Sequence, residues 1–198
     1  DMQDARELGI KYANDNISID ELIARPTANP EKTLRVDGYD VPINMDYIRQ
    51  LDEKCRAMYD AGVNFSFIFL NIVPEEPDPG NPLIHPRTNL KSPWHIGAFN
   101  VTDRKGLAYF RAAVEFIAER YTREDHKYGL ISGMVIGNEI QQHWVWYNIG
   151  RTHTDRVISD YTLAVRIADL AMRKHHKKLR TFISMDHHWT QRGFRNDP

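Results

Sequence analysis

Gly133-Met134-Val135-Ile136-Gly137-Asn138-Glu139 is an apolar segment of strand length that delivers a glycine, an asparagine and a carboxylate at its end. It is apolar on both faces, the pattern of a strand covered by helices on both sides or closed into a parallel barrel. Gln142, His143, Trp144, Trp146 and Tyr147 follow closely. A carboxyl group held at the end of an apolar strand beside aromatic rings is expected to be desolvated, which raises its pKa toward that of a proton donor near neutrality. Asn138 adds a donor and an acceptor at the same rim, suited to a sugar hydroxyl, and aromatic rings suit the apolar faces of pyranoses. Spacing alone leaves a second reading open, in which Glu139 caps the following segment or pairs with an arginine.

Outward from this segment, three more strand-like runs are legible: Val63 to Val73, Thr181 to Met185, and Ile10 to Ile19, the last interrupted by Asn14-Asp15-Asn16. Helical spacing joins Ile48, Leu51, Cys55 and Met58, then Leu107, Phe110, Val114, Ile117 and Tyr121, then Tyr161, Val165, Ala168 and Met172. The first of these helices stops at Ala61-Gly62, where glycine can take the left-handed conformation. A short helical stub is expected over 5–8. Strand, helix, strand, helix, strand, helix, strand is the order of a parallel α/β sheet, open or barrel.

The connections are lopsided. Helix-to-strand turns are short, whereas nine of the ten prolines fall in two strand-to-helix connections, Asp20 to Asn44 and Pro74 to Asp103. Such long connections are usually functional, and in parallel α/β folds they lie at the carboxyl ends of the strands, where ligands bind. Trp94, His95, Phe99 and Asn100 give the second connection the composition of a folded, site-lining loop rather than a disordered one.

The chain has 198 residues and a formal net charge of -1, with basic and acidic residues interspersed. It carries no electrostatic footprint for nucleic acid and no apolar run that spans a bilayer. Asp1-Met2-Gln3-Asp4 lacks the basic-then-apolar pattern of a secretory signal, so this N-terminus fits a cytosolic, processed or shortened chain. The single Cys55 excludes an intramolecular disulfide and a cysteine-cluster zinc site. The length suits one medium domain, or part of an α/β barrel, which usually needs about 250 residues.

Ile136-Gly137-Asn138-Glu139 resembles the end of the fourth barrel strand in clan A glycoside hydrolases. The stretch from there through Trp146-Tyr147-Asn148-Ile149-Gly150, Tyr161 to Ala171 and Ser184-Met185-Asp186-His187-His188-Trp189 is similar to a bacterial glycosidase-like family known as a domain of unknown function. Phe116-Ile117-Ala118-Glu119-Arg120-Tyr121 and Leu70-Asn71 fit the same pattern. The resemblance implies a (β/α)8 TIM barrel represented by strands two to five, a single catalytic-type domain over 1–198 that is a piece of a larger barrel. It implies a retaining glycoside hydrolase acting on a poly- or oligosaccharide, with Glu139 as general acid/base and Asn138 at the substrate's 2-hydroxyl. The nucleophile, a second glutamate on strand seven, would lie outside the chain. The four strands leave two sheet edges that missing barrel segments or an oligomer partner must cover.

Further substrate-binding candidates are Asn71, Asn16, His143, Trp144, Trp146, Trp94, and at least one of His187 and His188 beside Asp186. Loop capping is an equal alternative for Asn71, an ordinary turn for Asn16, and core packing for each tryptophan. No cofactor or metal is expected. A metal-dependent hydrolase using Asp186, His187 and His188 is a rival, weakened because adjacent histidines on a strand point to opposite faces. A non-catalytic carbohydrate-binding barrel is the other alternative. A secreted or periplasmic full-length protein is expected.

Overall fold

The computed structural model describes residue 4 and residues 7–24, 30–78 and 80–187; the helical stub expected over 5–8 falls largely outside them. Four strands, β1 (Tyr12–Ser18), β4 (Asn64–Leu70), β5 (Ile131–Ile136) and β6 (Arg180–Phe182), form one sheet in that spatial order. All three pairings are parallel. Between them run α1 (Ile19–Leu22), the hairpin β2 (Lys32–Val36) and β3 (Tyr39–Ile43), α2 (Met45–Asp60), α3 (Arg104–Arg120) and α4 (Thr154–His175).

Period-two alternation sets which side of the sheet meets the helices. Phe65, Phe67 and Phe69 of β4 are fully buried, while Ser66 and Ile68 between them are only half-buried. Phe67 packs edge-on against Tyr121, and Phe69 against Phe110 of α3. Met134 and Ile136, in register with Phe67 and Phe69, join the same face. Of the two arrangements expected for strands apolar on both faces, this is the one-sided cover of a barrel-type sheet rather than helices on both sides. Among the described residues helices cover one face, and the opposite face carries Ser66, Ile68, Val135 and the exposed Phe182.

Two further expectations change. The polar run Asn14-Asp15-Asn16 does not interrupt β1, because β1 lies at the edge of the sheet and can expose its side chains to water. The last strand stops at Phe182 rather than Met185, and Ile183 and Met185 are exposed.

The first long connection holds a β-hairpin that the sequence reading left as loop. Asp37 and Gly38 both have positive φ, 49° and 89°, the requirement of a type I′ turn, and Asp-Gly is a favoured pair for it. The hairpin lies against α3, where Arg111 pairs with Asp37. The second connection is folded, as its composition predicted. It is stitched by bridges between Ile72 and Ile96, Ile84 and Phe99, and Gly97 and Asn148. Asp103 then starts α3 by accepting from the Lys105 and Gly106 amides at 3.0 and 2.9 Å.

Candidate functional site

β5 ends at Ile136, and the chain turns out of the sheet through two residues of positive φ, Gly137 (75°) and Glu139 (40°). Gly137 suits that conformation, and a side chain there would press on the ring of the fully buried Tyr147. The Tyr161 hydroxyl donates to the Ile136 carbonyl at 2.7 Å. Glu139 is half-buried, and among the described residues its carboxylate has no hydrogen-bond or ion-pair partner. Pairing with an arginine, the alternative left open by spacing, is not observed there.

The end of β6 braces this turn. Ser184 Oγ donates to Asn138 Oδ1 and accepts from the Glu139 amide, each at 3.4 Å, and the Ile140 amide donates to the Ser184 carbonyl at 3.3 Å. Gln142 Nε2 donates to the buried Asp186, whose other oxygen pairs with His187 Nδ1. The arrangement leaves one carboxylate unpartnered at a rim whose other polar groups hold one another. Such a group can exchange a proton with a bound ligand.

The loop after Glu139 runs alongside the loop after β4. Asn148, 2% exposed, accepts from the Asn89 and Gly150 amides at 3.2 and 3.0 Å and donates to the Asn89 carbonyl at 3.0 Å. Between the two loops lies an open groove of about 400 Å³ lined by Asn89, Lys91, Ser92, Trp94, Trp144 and Arg151, among others. Trp94 is 46% exposed and lies against the half-buried Trp146, ring centroids 4.8 Å apart. His143 is buried, with its ring edge-on to Trp144.

The predicted site residues thus separate. Asn138, Glu139, His143, Trp144 and Trp146 share the loop after β5, Trp94 reaches it from the loop after β4, and His187 joins through Asp186. Asn71 is 1% exposed and donates to the Leu83 and Ala98 carbonyls at 2.9 and 3.0 Å, which favours loop pinning over substrate binding. Asn16 is not at the end of its strand. It stands two residues earlier, in register with Ile68 on the face the helices leave uncovered. His188 lies outside the described residues. Among the described residues no three His, Cys, Asp or Glu side chains are grouped to hold a metal ion, and no helix is long and apolar enough to cross a membrane.

A family model matches residues 1–197. The chain belongs to DUF5722, a family of unknown function. No curated protein matches it. Among the solved structures that share the fold of this DUF5722 chain are two of GH5_18 from Bifidobacterium longum subsp. longum. One is the enzyme itself, at TM-score 0.55, 16% identity, 94% of this chain and 38% of that one. The other is a variant in complex with Manb1-4GlcNAc, at TM-score 0.54, 16% identity, 94% of this chain and 37% of that one. GH5 enzymes are TIM-barrel glycoside hydrolases, and this chain spans a little over a third of those two chains.

Sequence reading missed three parts of the rim. Helical spacing gives Tyr161 a place in the packing but no hydrogen bond to β5, and the strand pattern gives Ser184 no contact with Asn138 or Glu139. Asp20 was read as the start of a loop. Its carboxylate accepts from the Ser18 hydroxyl and, at 3.2 Å, from the Ile72 amide, tying the ends of β1 and β4. Burial raises the pKa of Asp20 above the ordinary carboxylate value. The local pattern that marks it is a Ser-x-Asp beginning on the last residue of β1.

Proposed function

We propose that this chain is the acid/base half of a retaining glycoside hydrolase that acts on a poly- or oligosaccharide, four consecutive strands of a (β/α)8 barrel. The observation that carries the reading is Glu139, an unpartnered carboxylate just beyond the end of β5 in a fold shared with GH5_18 enzymes. A neighbour's complex with a disaccharide supports a saccharide ligand.

In this reading the Glu139 carboxylic acid gives its proton to the glycosidic oxygen as the bond to the anomeric carbon breaks. A second carboxylate, outside these residues, forms the glycosyl-enzyme and stands about 5 Å from Glu139. Glu139, now ionised, takes a proton from the water that hydrolyses that ester. Ser184 occupies Asn138 Oδ1, so the Asn138 amide nitrogen is the group offered to the sugar 2-hydroxyl. Trp144, Trp146 and Trp94 supply ring platforms, with His143 edge-on to Trp144 and His187 held by Asp186.

Glu139→Gln in the full-length protein tests the reading. Turnover of glycosides with poor leaving groups should fall by about 10²–10⁴-fold, the usual worth of general acid/base catalysis, while saccharide binding is retained. Aryl glycosides with acidic phenol leaving groups need less protonation and should lose less in the glycosylation step. Undiminished hydrolysis with Gln at this position would remove Glu139 from the mechanism.

A further inference from the structure

The groove between the two catalytic-face loops has a composition that a platform for neutral sugars does not need. Its lining includes Lys91 and Arg151 and no carboxylate. On the helix that follows the second loop, Arg156 faces Asp160 at 3.8 Å. Lys91 and Arg151 have no acidic partner among the described residues. They stand on different loops, one after β4 and one after β5, yet line one cleft together with the rings of Trp94 and Trp144. The loops cannot slide apart easily, because Asn148 bonds Asn89 through two hydrogen bonds and bridges to Gly97. Two free cations and two tryptophans lining one cleft, on a braced scaffold, suit a ligand that is hydroxylated and negatively charged.

We propose that this groove is a subsite for an anionic sugar residue. The indoles cover the ring and Lys91 and Arg151 pair with its carboxylate or sulfate ester. Arg151 offers a planar fork that can hold either oxyanion through two bonds, and Lys91 a single mobile charge. The proposal rests on the carbohydrate reading above and deepens it, since it assigns the charge class of the saccharide that extends from Glu139.

The test uses the full-length protein carrying Glu139→Gln, so that ligands are not consumed, and follows tryptophan fluorescence. Three oligosaccharide sets of equal length are titrated: oligouronates, sulfated oligogalactans and neutral β-linked oligomannosides. At low salt one or both charged sets should bind at least about 10-fold tighter than the neutral set, with the advantage shrinking as salt screens the pairs. Whichever charged set shows the advantage identifies the oxyanion. Lys91→Gln with Arg151→Gln should erase that advantage and leave neutral binding within about 2-fold. Both side chains lie on the surface, so the fold should survive, and a thermal melt checks this. Equal binding of charged and neutral sets, binding of none, or an advantage that survives the double substitution overturns the subsite. Hydrolysis by the unsubstituted enzyme is scored separately: binding of acidic sugars without any glycoside cleavage overturns the catalytic reading and leaves the subsite standing.

Discussion

The Tyr161 hydroxyl, on α4, holds the Ile136 carbonyl at 2.7 Å, the last residue of β5 before the chain turns out to Glu139. Tyr161 is 6% exposed and its ring lies edge-on to Tyr147, which in turn packs against Gly137. Tyr161→Phe keeps the ring packing and removes only the donor. A buried acceptor that loses its partner costs about 1–3 kcal/mol, so urea denaturation should show a loss near the lower end of that range. An unchanged midpoint would mean that the Ile136 carbonyl finds water or another donor.

Gly150 lets the loop after β5 pass close against the loop after β4. Its φ is +70°, its amide donates to Asn148 Oδ1 at 3.0 Å, and a Cβ there would run into the Arg87 carbonyl oxygen. Gly150→Ala therefore meets both left-handed strain and a clash with backbone, and a left-handed non-glycine residue alone costs roughly 1–3 kcal/mol. The strain should appear as local opening. Limited proteolysis should cut within 74–103 faster than in the parent while the sheet core remains protected. Identical cleavage patterns would show that the loops are not held through this residue.

Much of this scaffold could be read from spacing, because the core helices and strands obey simple periods. The three long helices follow apolar positions three and four apart, and β5 follows a run that is apolar but for Ser132 and Gly133. Errors arose where context overrode local pattern. Asn14 and Asn16 looked like a turn because polar residues rarely sit in a buried strand, but β1 is at an edge where solvent satisfies them. The hairpin was visible in Asp37-Gly38 and the alternation of Leu34, Val36, Tyr39 and Val41, and was masked by the proline count of the connection. Glu139 was legible as a rim carboxylate, whereas its bracing by Ser184 and the Gln142 link to Asp186 join residues over 40 apart in sequence. No local pattern carries that information.

Asp52 of α2 anchors α3 to its neighbour. It accepts two 2.7 Å bonds from Arg120 and a 3.0 Å bond from the hydroxyl of the fully buried Tyr121. The side chains of Asp52 and Arg120 are only 16% and 13% exposed, so solvent screens this pair far less than an open surface bridge. Asp52→Ala leaves a guanidinium and a phenol without their shared acceptor and should cost about 3 kcal/mol, in the range for breaking a buried pair. Asp52→Asn keeps an acceptor and should cost less. Equal losses for both would assign the effect to the charge rather than to shape or the retained acceptor.

Stability should hold level down to about pH 6.5 and fall as the solution is acidified below it, a window set by histidines rather than carboxylates. The His85 side chain is wholly buried; its Nδ1 accepts from the Arg87 amide at 3.2 Å, and its Nε2 faces Asp160 Oδ2 at 3.4 Å. Burial is the largest influence and drives its pKa below the ordinary 6.5, with Arg87 and Arg156 adding to the effect and Asp160 opposing it. His175 shifts the same way, through burial and the neighbouring Lys174. Unfolding returns both rings to ordinary values, so just below pH 6.5 the unfolded chain binds more protons than the folded one. The stabilisation is therefore complete above pH 6.5 and is lost as the pH falls toward the lower folded-state values. Each histidine can contribute a slope of up to about 1.4 kcal/mol per pH unit in that interval. Urea midpoints measured across the window should decline. In His85→Asn the decline should become shallower, and His175→Asn should reduce it independently, since the two sites are distinct. A parent profile that is flat from pH 7.5 to 5.5 would mean that neither ring is kept neutral by the fold.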